Sequence, residues 1–233
     1  MKKTILTLTI LTAMLGILGF NTLESVYAFN EQTAVALEEL ETTSTELTQD
    51  EIDALLFMRE EEKLARDVYL ALYEKWDLVI FKNIAKSEQR HMDSVKTLID
   101  RFGLEDPMLG EAGEFTNQEL QSLYNELVIK GSQSITDALL VGGAIEEIDI
   151  LDLQDGLKDT TNADVSRVFE SLLRGSYNHL KAFVNTFNRQ NSEAYQPQYM
   201  SQNAFDEIIG QSNANGNGRF QSNTTMGRRG GRR

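Results

Sequence analysis

Hydrophobic positions recur with the period of an α-helix along most of the chain, and five such stretches can be delimited. Each stretch spaces apolar residues three or four positions apart, which places them on one helix face. The predicted helices cover approximately residues 48–76, 81–102, 116–131, 134–157 and 161–188. No stretch alternates with period two for long enough to predict a strand. The pattern therefore predicts an all-α protein.

Capping signals mark the ends of several of these helices. A threonine followed three residues later by an acid opens three of them, at Thr48–Glu51, Thr116–Glu119 and Thr161–Asp164. Gly103 and Gly131 end the second helix and the short third one. The four long helices have about 22 to 28 residues, or about 33 to 42 Å. They indicate a four-helix bundle with a crossover segment that contains the short extra helix.

Five ionisable residues interrupt the apolar helix faces, about one on each long helix. They are Glu62, Glu88, His91, Glu146 and His179. The whole chain contains two histidines, and both belong to this set. A charged carboxylate in an apolar core costs several kcal/mol unless another charge compensates it. The pattern therefore indicates one shared compensating group at the centre of the bundle.

The spacing of Glu88 and His91 favours a metal ion as that group. Residues three apart project from the same helix face within one turn. Carboxylates and imidazoles, with no cysteine in the chain, favour iron or manganese over zinc or copper(I). Zinc binding in vitro remains open.

Four motifs resemble those of ferritin-like proteins. The segment Glu62–Tyr69 resembles the first-helix Glu-x-x-Ala-Arg-x-x-Tyr of rubrerythrins, and Ala85–His91 resembles their second-helix Glu-x-x-His. Together with Ala144–Ile150 and Gly175–Leu180, the chain resembles an exported ferritin-like family known as domain of unknown function 2202. The resemblance covers about residues 50–209, including the Tyr195–Tyr199 segment, and implies a ferritin-like four-helix bundle.

The resemblance also implies a set of metal ligands: Glu62, Glu88, His91, Glu146 and His179. Tyr69 would hydrogen-bond a ligating carboxylate or relay an electron, with a simple core tyrosine as the alternative. Ser176 stands where the family pattern of the fourth helix has a glutamate. Asp149, three residues after Glu146, is the candidate substitute. If Asp149 does not reach the site, a mononuclear site is the expectation.

Several of the candidate residues also have an ordinary structural interpretation. Glu62 and Arg66 have the spacing of an ordinary surface ion pair. Glu146 and Glu147 straddle the edge of the inner face, so either one could be the inward residue. His179 taken alone is more typical of a hydrogen-bonded core histidine.

The two ends of the chain differ in composition from the helical part. Residues 1–28 have the charged, apolar and small-residue order of a signal peptide, and a retained membrane anchor is the weaker alternative. Residues 29–47 are predicted to be a flexible acidic lead-in, 48–210 the helical domain, and 211–233 a disordered Asn/Gly/Arg tail. The sequence predicts an exported protein.

The net charge of −14 excludes nucleic-acid binding by the folded domain. The tail carries five arginines and no acid, so weak contact with an anionic polymer is open for that segment.

Two functional classes fit the sequence. One is a di-iron oxidoreductase or peroxidase acting on dioxygen or peroxide, with manganese as the alternative metal. Because the chain has no cysteine-ligated electron-transfer module, this class would need an external electron donor. The other class is metal sequestration, or a structural or binding bundle without turnover. The sequence leaves one metal or two, and a monomer or a homo-oligomer, undecided.

Overall fold

The computed structural model of the protein describes residues 46–214, with side chains as far as Gly210. Over this range the chain forms six α-helices and no strand, which confirms the all-α prediction. In chain order the helices are α1 (Gln49–Trp76), α2 (Val79–Phe102), α3 (Gln118–Gly131), α4 (Ile135–Asp159), α5 (Ala163–Gln190) and α6 (Gln202–Ala214). The sequence pattern did not predict α6.

The predicted signal peptide, nearly all of the acidic lead-in and the arginine-bearing part of the tail lie outside the described residues. None of the helices within residues 46–214 is long and apolar enough to cross a membrane.

The four long helices pack in two pairs. Helix α1 lies along α2, and α4 lies along α5. The pairs meet where α1 contacts α4 and α2 contacts α5, while the short α3 packs against α1 and α4. The crossover between α2 and α4 therefore contains α3, as predicted.

The apolar core is divided into two clusters. One contains Tyr69, Phe81 and Phe183 among many others, and the second contains Met58 and Phe169. On α1, α2 and α5 the predicted polar residues lie in sequence between the part of the helix that enters one cluster and the part that enters the other, and on α4 Glu146 precedes Leu153 of the second cluster. A buried polar layer therefore separates the two apolar clusters.

Five consecutive charged residues of α1, 59–63, are all buried. Arg59 forms an ion pair with Asp106 at 3.0 Å. Glu60 accepts hydrogen bonds from two backbone N–H groups just before α3, and Lys63 donates to two backbone carbonyls of the preceding loop. The crossover segment thus covers the side of α1 that faces away from the bundle centre.

The helix starts agree with the predicted capping signals at one of three positions. Thr48 caps α1 with a full capping box. The predictions of Thr116 and Thr161 as caps were wrong: the N-caps are Asn117 and Asn162, whose side chains accept from backbone N–H groups of α3 and α5. Asparagine caps a helix at least as well as threonine, so the adjacent residue replaces it.

Glu51 links the starts of two helices. Its carboxylate lies 2.9 Å from the backbone N of Thr48 and 2.7 Å from the backbone N atoms of Thr161 and Asn162. Burial opposes the charged form, but the backbone donors outweigh it and lower the pKa of Glu51 below its ordinary value. The residue therefore ties the start of α1 to the start of α5.

Replacing Glu51 by glutamine is expected to lower the free energy of unfolding at pH 7 by about 1–3 kcal/mol, because charge-assisted hydrogen bonds are lost. Since the folded pKa is lowered, the carboxylate stabilises the protein above about pH 4.3, the ordinary pKa of glutamate. That stabilisation is lost as pH falls through the folded pKa. Urea unfolding of wild type and E51Q should therefore show a smaller difference at pH 3 than at pH 7.

Glu119 provides the matched control, because it is an exposed acid in the first turn of α3. The E119Q variant should change the free energy of unfolding by less than about 0.5 kcal/mol at either pH. Equal losses in the two variants, or a loss in E51Q that persists at pH 3, would contradict this role of Glu51.

Candidate metal centre

The structure brings the five ionisable residues of the apolar helix faces to one buried place. Glu62 comes from α1, Glu88 and His91 from α2, Glu146 from α4 and His179 from α5. The exposed fraction of the three glutamates is 2%, and that of the two histidines is 9%. All five therefore belong to the polar layer between the two apolar clusters.

Glu88 lies between the two histidines. Its Oε2 atom is 2.8 Å from His91 Nδ1, and its Oε1 atom is 2.9 Å from His179 Nδ1. The two imidazole rings stack with their centroids 5.4 Å apart. One ligand atom from each of Glu88, His91 and His179 lies within 4.8 Å of the other two, so this triad could hold a metal ion.

Two further carboxylates flank the triad. Glu62 Oε2 lies 3.2 Å from His91 Nδ1, and Glu146 Oε2 lies 3.4 Å from His179 Nδ1. The other oxygen of Glu146, Oε1, accepts a hydrogen bond of 2.6 Å from the hydroxyl of Tyr69. Each histidine is therefore placed between two carboxylates, and Tyr69 orients one of them.

Several buried atoms in the layer make no hydrogen bond. They are Glu62 Oε1, Glu88 Oε1, His179 Nδ1 and Asp149 Oδ1. Glu88 Oε1 and His179 Nδ1 are close together, yet their geometry does not form a hydrogen bond. Buried polar groups are nearly always paired. A bound cation would accept the lone pairs of neighbouring buried oxygen and nitrogen atoms that do not hydrogen-bond to each other. The residues present therefore fit a metal ion.

Mutual charge shifts the pKa values of these groups strongly. Burial raises the pKa of Glu88, but the two histidines close to its carboxylate outweigh burial and lower that pKa to about 2. Burial lowers the pKa of each imidazole, but the neighbouring carboxylates raise the pKa of His91 to about 11 and of His179 to about 10. Burial, followed by the charge of Asp149, raises the pKa of Glu62 well above its ordinary value. Without a metal ion, protonated imidazoles are thus the positive charge of the layer.

Asp149 and Ser176 meet in the same layer. The Ser176 hydroxyl donates to Asp149 Oδ2, while Asp149 Oδ1 has no hydrogen-bond partner. Burial and the charge of Glu146 raise the pKa of Asp149 to about 7. The serine that replaces the expected glutamate therefore holds the candidate substitute carboxylate by one oxygen and leaves the other unpaired.

Arg66, the alternative partner of Glu62, does not form an ion pair with it. Arg66 instead forms an ion pair with Asp67 at 2.7 Å and a hydrogen bond of 2.6 Å to Gln89. Glu62 is thus directed toward His91 and not toward the helix surface.

The choice between Glu146 and Glu147 is also clear from their contacts. Glu147 is fully buried but is directed toward the segment after α5. It accepts a hydrogen bond of 2.7 Å from the Tyr195 hydroxyl and three more from the backbone N–H groups of Gln198, Tyr199 and Met200. Glu146 is the one that faces the histidines.

Glu61 is a buried acid that the sequence pattern did not identify. Its exposed fraction is 5%, and its Oε2 atom has no hydrogen-bond partner. Burial, then the charges of Asp149 and Asp152, raise its pKa well above the ordinary value. In the sequence it lies in a run of three glutamates, 60–62, which is typical of a solvated helix face, so no sequence signal separated it from exposed acids.

Comparison with known proteins places the chain in a family. The family model described as "Uncharacterized protein domain (DUF2202)" matches residues 51–212. The chain belongs to the DUF2202 family. This confirms the family resemblance predicted from the sequence motifs.

A relative of known structure is similar over most of the chain. The uncharacterized protein MJ0754 of Methanocaldococcus jannaschii is 48% identical over 171 residues, which cover 73% of this chain and 92% of the relative. The crystal structure of hypothetical protein MJ0754 matches with a TM-score of 0.70, covering 72% of this chain and 95% of that chain.

Gly175 gives the His91 ring the room it occupies. A Cβ atom at Gly175 would lie 2.5 Å from His91 Nε2 and 2.6 Å from its Cε1 atom. The G175A variant is therefore expected to displace the ring, although alanine is the better helix former by about 1 kcal/mol. Imidazole NMR signals of His91, and the distance from its Nδ1 atom to Glu88 in a crystal structure, would measure the displacement.

Gly110 provides the control, because a Cβ atom there would have no neighbour within 4 Å. The G110A variant should leave the His91 signals unchanged. A G175A protein with wild-type imidazole signals would contradict the steric role of Gly175.

Proposed function

We propose that this DUF2202 protein is an exported, ferritin-like four-helix bundle that binds two iron or manganese ions, or one, between its helices. The observation that carries the proposal is the position of Glu88, whose two carboxylate oxygens face the Nδ1 atoms of His91 and His179. Glu62 Oε1, Glu88 Oε1 and His179 Nδ1 are buried and have no hydrogen-bond partner. The signal-like residues 1–28 support export, and the order of the Glu-x-x-His-type motifs supports the ferritin-like class.

Charge balance favours two divalent ions over one. The layer holds four buried carboxylates, namely Glu62, Glu88, Glu146 and Asp149. With both imidazoles neutral and all four carboxylates ionised, two divalent cations would cancel that charge, whereas a single one would leave two buried negative charges. Uncompensated buried charges cost several kcal/mol each. Oxygen ligands combined with two imidazoles and no thiolate favour iron or manganese.

The residues of the chain would have distinct tasks in such a centre. His91 and His179 would bind through Nδ1 as neutral donors and release their protons on metal binding. Glu88 would join the two halves of the site, with Glu62 and Glu146 at its two sides. Tyr69 would hold the Glu146 carboxylate through its 2.6 Å hydrogen bond. Iron held there would supply redox chemistry toward dioxygen or peroxide.

Two functions follow from the number of ions held. A di-metal oxidoreductase with an external electron donor is favoured by the unpaired oxygen of Asp149 and by the buried tyrosine beside Glu146. Metal sequestration without turnover is the second candidate, and the observation that favours it is Ser176, which occupies the place of a ligating glutamate.

The first test of the proposal is the number of metal ions bound per chain. Metal-free protein without a histidine tag is loaded anaerobically with ferrous iron, and separately with manganese, and analysed for metal content. We expect two ions per wild-type chain. The E88A and H91A variants should bind less than half as much, because each lacks a ligand of the central triad.

The control is E126Q, which changes an exposed acid on α3 outside the polar layer and should bind metal like wild type. A wild-type chain that binds no metal, or E88A and H91A variants with unchanged metal content and melting temperature, would overturn the metal centre.

Asp149 is expected to be required for the second ion. The D149N variant keeps the size of the side chain and a hydrogen-bond acceptor for Ser176 but removes one buried negative charge. Its metal content should fall from two ions to about one, because asparagine is a weaker ligand for a hard cation. Elemental analysis, together with the optical response of the iron-loaded protein to peroxide, measures both effects.

Two wild-type ions and an optical change with peroxide would support the oxidoreductase. One wild-type ion, unchanged in D149N and without response to peroxide, would support sequestration and exclude Asp149 as a ligand.

A further inference from the structure

A line of carboxylates leads from the metal centre toward the surface along α4. Glu146, Asp149 and Asp152 follow one another at intervals of three residues, so each lies about 4.5 Å further along the helix axis. Glu146 and Asp149 are buried, whereas Asp152 is partly exposed. The acids therefore run from the core of the bundle to its surface.

Asp152 opens onto a surface groove. The groove has a volume of about 300 Å³ and lies between α1, α4 and α5, with Asp53, Phe57, Asp152 and Phe169 among its lining residues. Its walls are mostly apolar, and it carries two carboxylates. Negative charge on low-dielectric walls concentrates cations locally.

Glu61 connects the groove to the buried layer. Its carboxyl group is within hydrogen-bonding reach of Asp152, and its charge also interacts with that of Asp149. Two buried oxygens on this line, Glu61 Oε2 and Asp149 Oδ1, have no hydrogen-bond partner. Glu61 is 5% and Asp149 is 6% exposed, so both side chains are more than nine-tenths buried.

The basic residues beside Glu61 on α1 are directed elsewhere. Arg59 pairs with Asp106 and donates to a backbone carbonyl of α2. Lys63 pairs with Asp67 and donates to the loop before α3. Glu61 is thus a buried acid that its neighbouring cations on the same helix do not neutralise, which suits a position that a mobile cation visits.

We propose that Asp152, Glu61 and Asp149 form a loading route along which divalent metal cations pass from the surface groove to the centre. The inference rests on the proposed metal-binding function. Asp152 would receive the cation from the groove, Glu61 would take it below the surface, and Asp149 would deliver it to the layer of Glu62 and Glu146. Asp149 is then shared by the route and the site, whereas Glu61 and Asp152 serve the route alone.

The test is the rate at which full-length, metal-free protein takes up Co²⁺, followed by stopped-flow absorbance. An amide is a weaker ligand for a divalent cation than a carboxylate, and D152N also removes charge that concentrates cations at the groove. The E61Q and D152N variants should therefore load about tenfold more slowly than wild type. A route changes rates but not the equilibrium. The number of Co²⁺ ions bound and the dissociation constant should therefore stay as in wild type, and release to a chelator should slow by the same factor.

Two variants keep the test independent of folding. Asp152 is partly exposed, so D152N remains informative if the change at the buried Glu61 lowers the melting temperature. E126Q again serves as the control for the loss of one negative charge, and it should load at the wild-type rate.

Each outcome decides one of the two proposals. Slower loading and release at unchanged affinity supports the route. Wild-type rates in both variants, equal slowing in E126Q, or a loss of bound Co²⁺ in E61Q and D152N would overturn the route while leaving the metal centre intact. A wild-type protein that binds no Co²⁺ would instead overturn the metal centre.

Discussion

Buried negative charge is the constraint on which the rest of this structure depends. The polar layer places four carboxylates and two imidazoles between two apolar clusters. Such a layer is tolerated only if protons or metal ions balance its negative charge. The apolar clusters on both sides hold the four long helices together. The carboxylates of the layer therefore stay close to one another although their negative charges repel.

Charged side chains of helix α1 contact several different parts of the fold. Within one stretch of five residues, Arg59 and Lys63 anchor the loop after α2, Glu60 holds the start of α3, and Glu62 enters the polar layer beside His91. Successive residues of a helix point about 100° apart, so such a stretch reaches every side of the helix. The geometry of the site is consequently tied to the crossover segment through the same helix.

Hydrophobic periodicity predicted both the helices and the clustering of the site residues. Both predictions depend on each helix having one face that is directed toward the core. Glu62, Glu88 and His179 stood out as polar residues on an apolar stripe. Periodicity carries no information about a second buried face, so Glu61 and Lys63 had the pattern of solvated residues. The predicted caps Thr116 and Thr161 were one residue away from the observed caps Asn117 and Asn162, because a threonine side chain can accept the same hydrogen bonds as asparagine. Helix α6 is short and follows an irregular segment, which explains why it was missed.

The four hydrogen bonds to Glu147 set a lower limit on how short a working domain can be. A chain that stopped at Gln190 would contain every residue of the candidate metal centre, yet Glu147 would lose its hydrogen bonds from Tyr195 and from the three backbone donors. Because Glu147 is adjacent to Glu146, the disturbance would arise beside the centre. During synthesis these donors leave the ribosome after all four long helices, so α4 reaches its final environment only after the segment that follows α5 has been made.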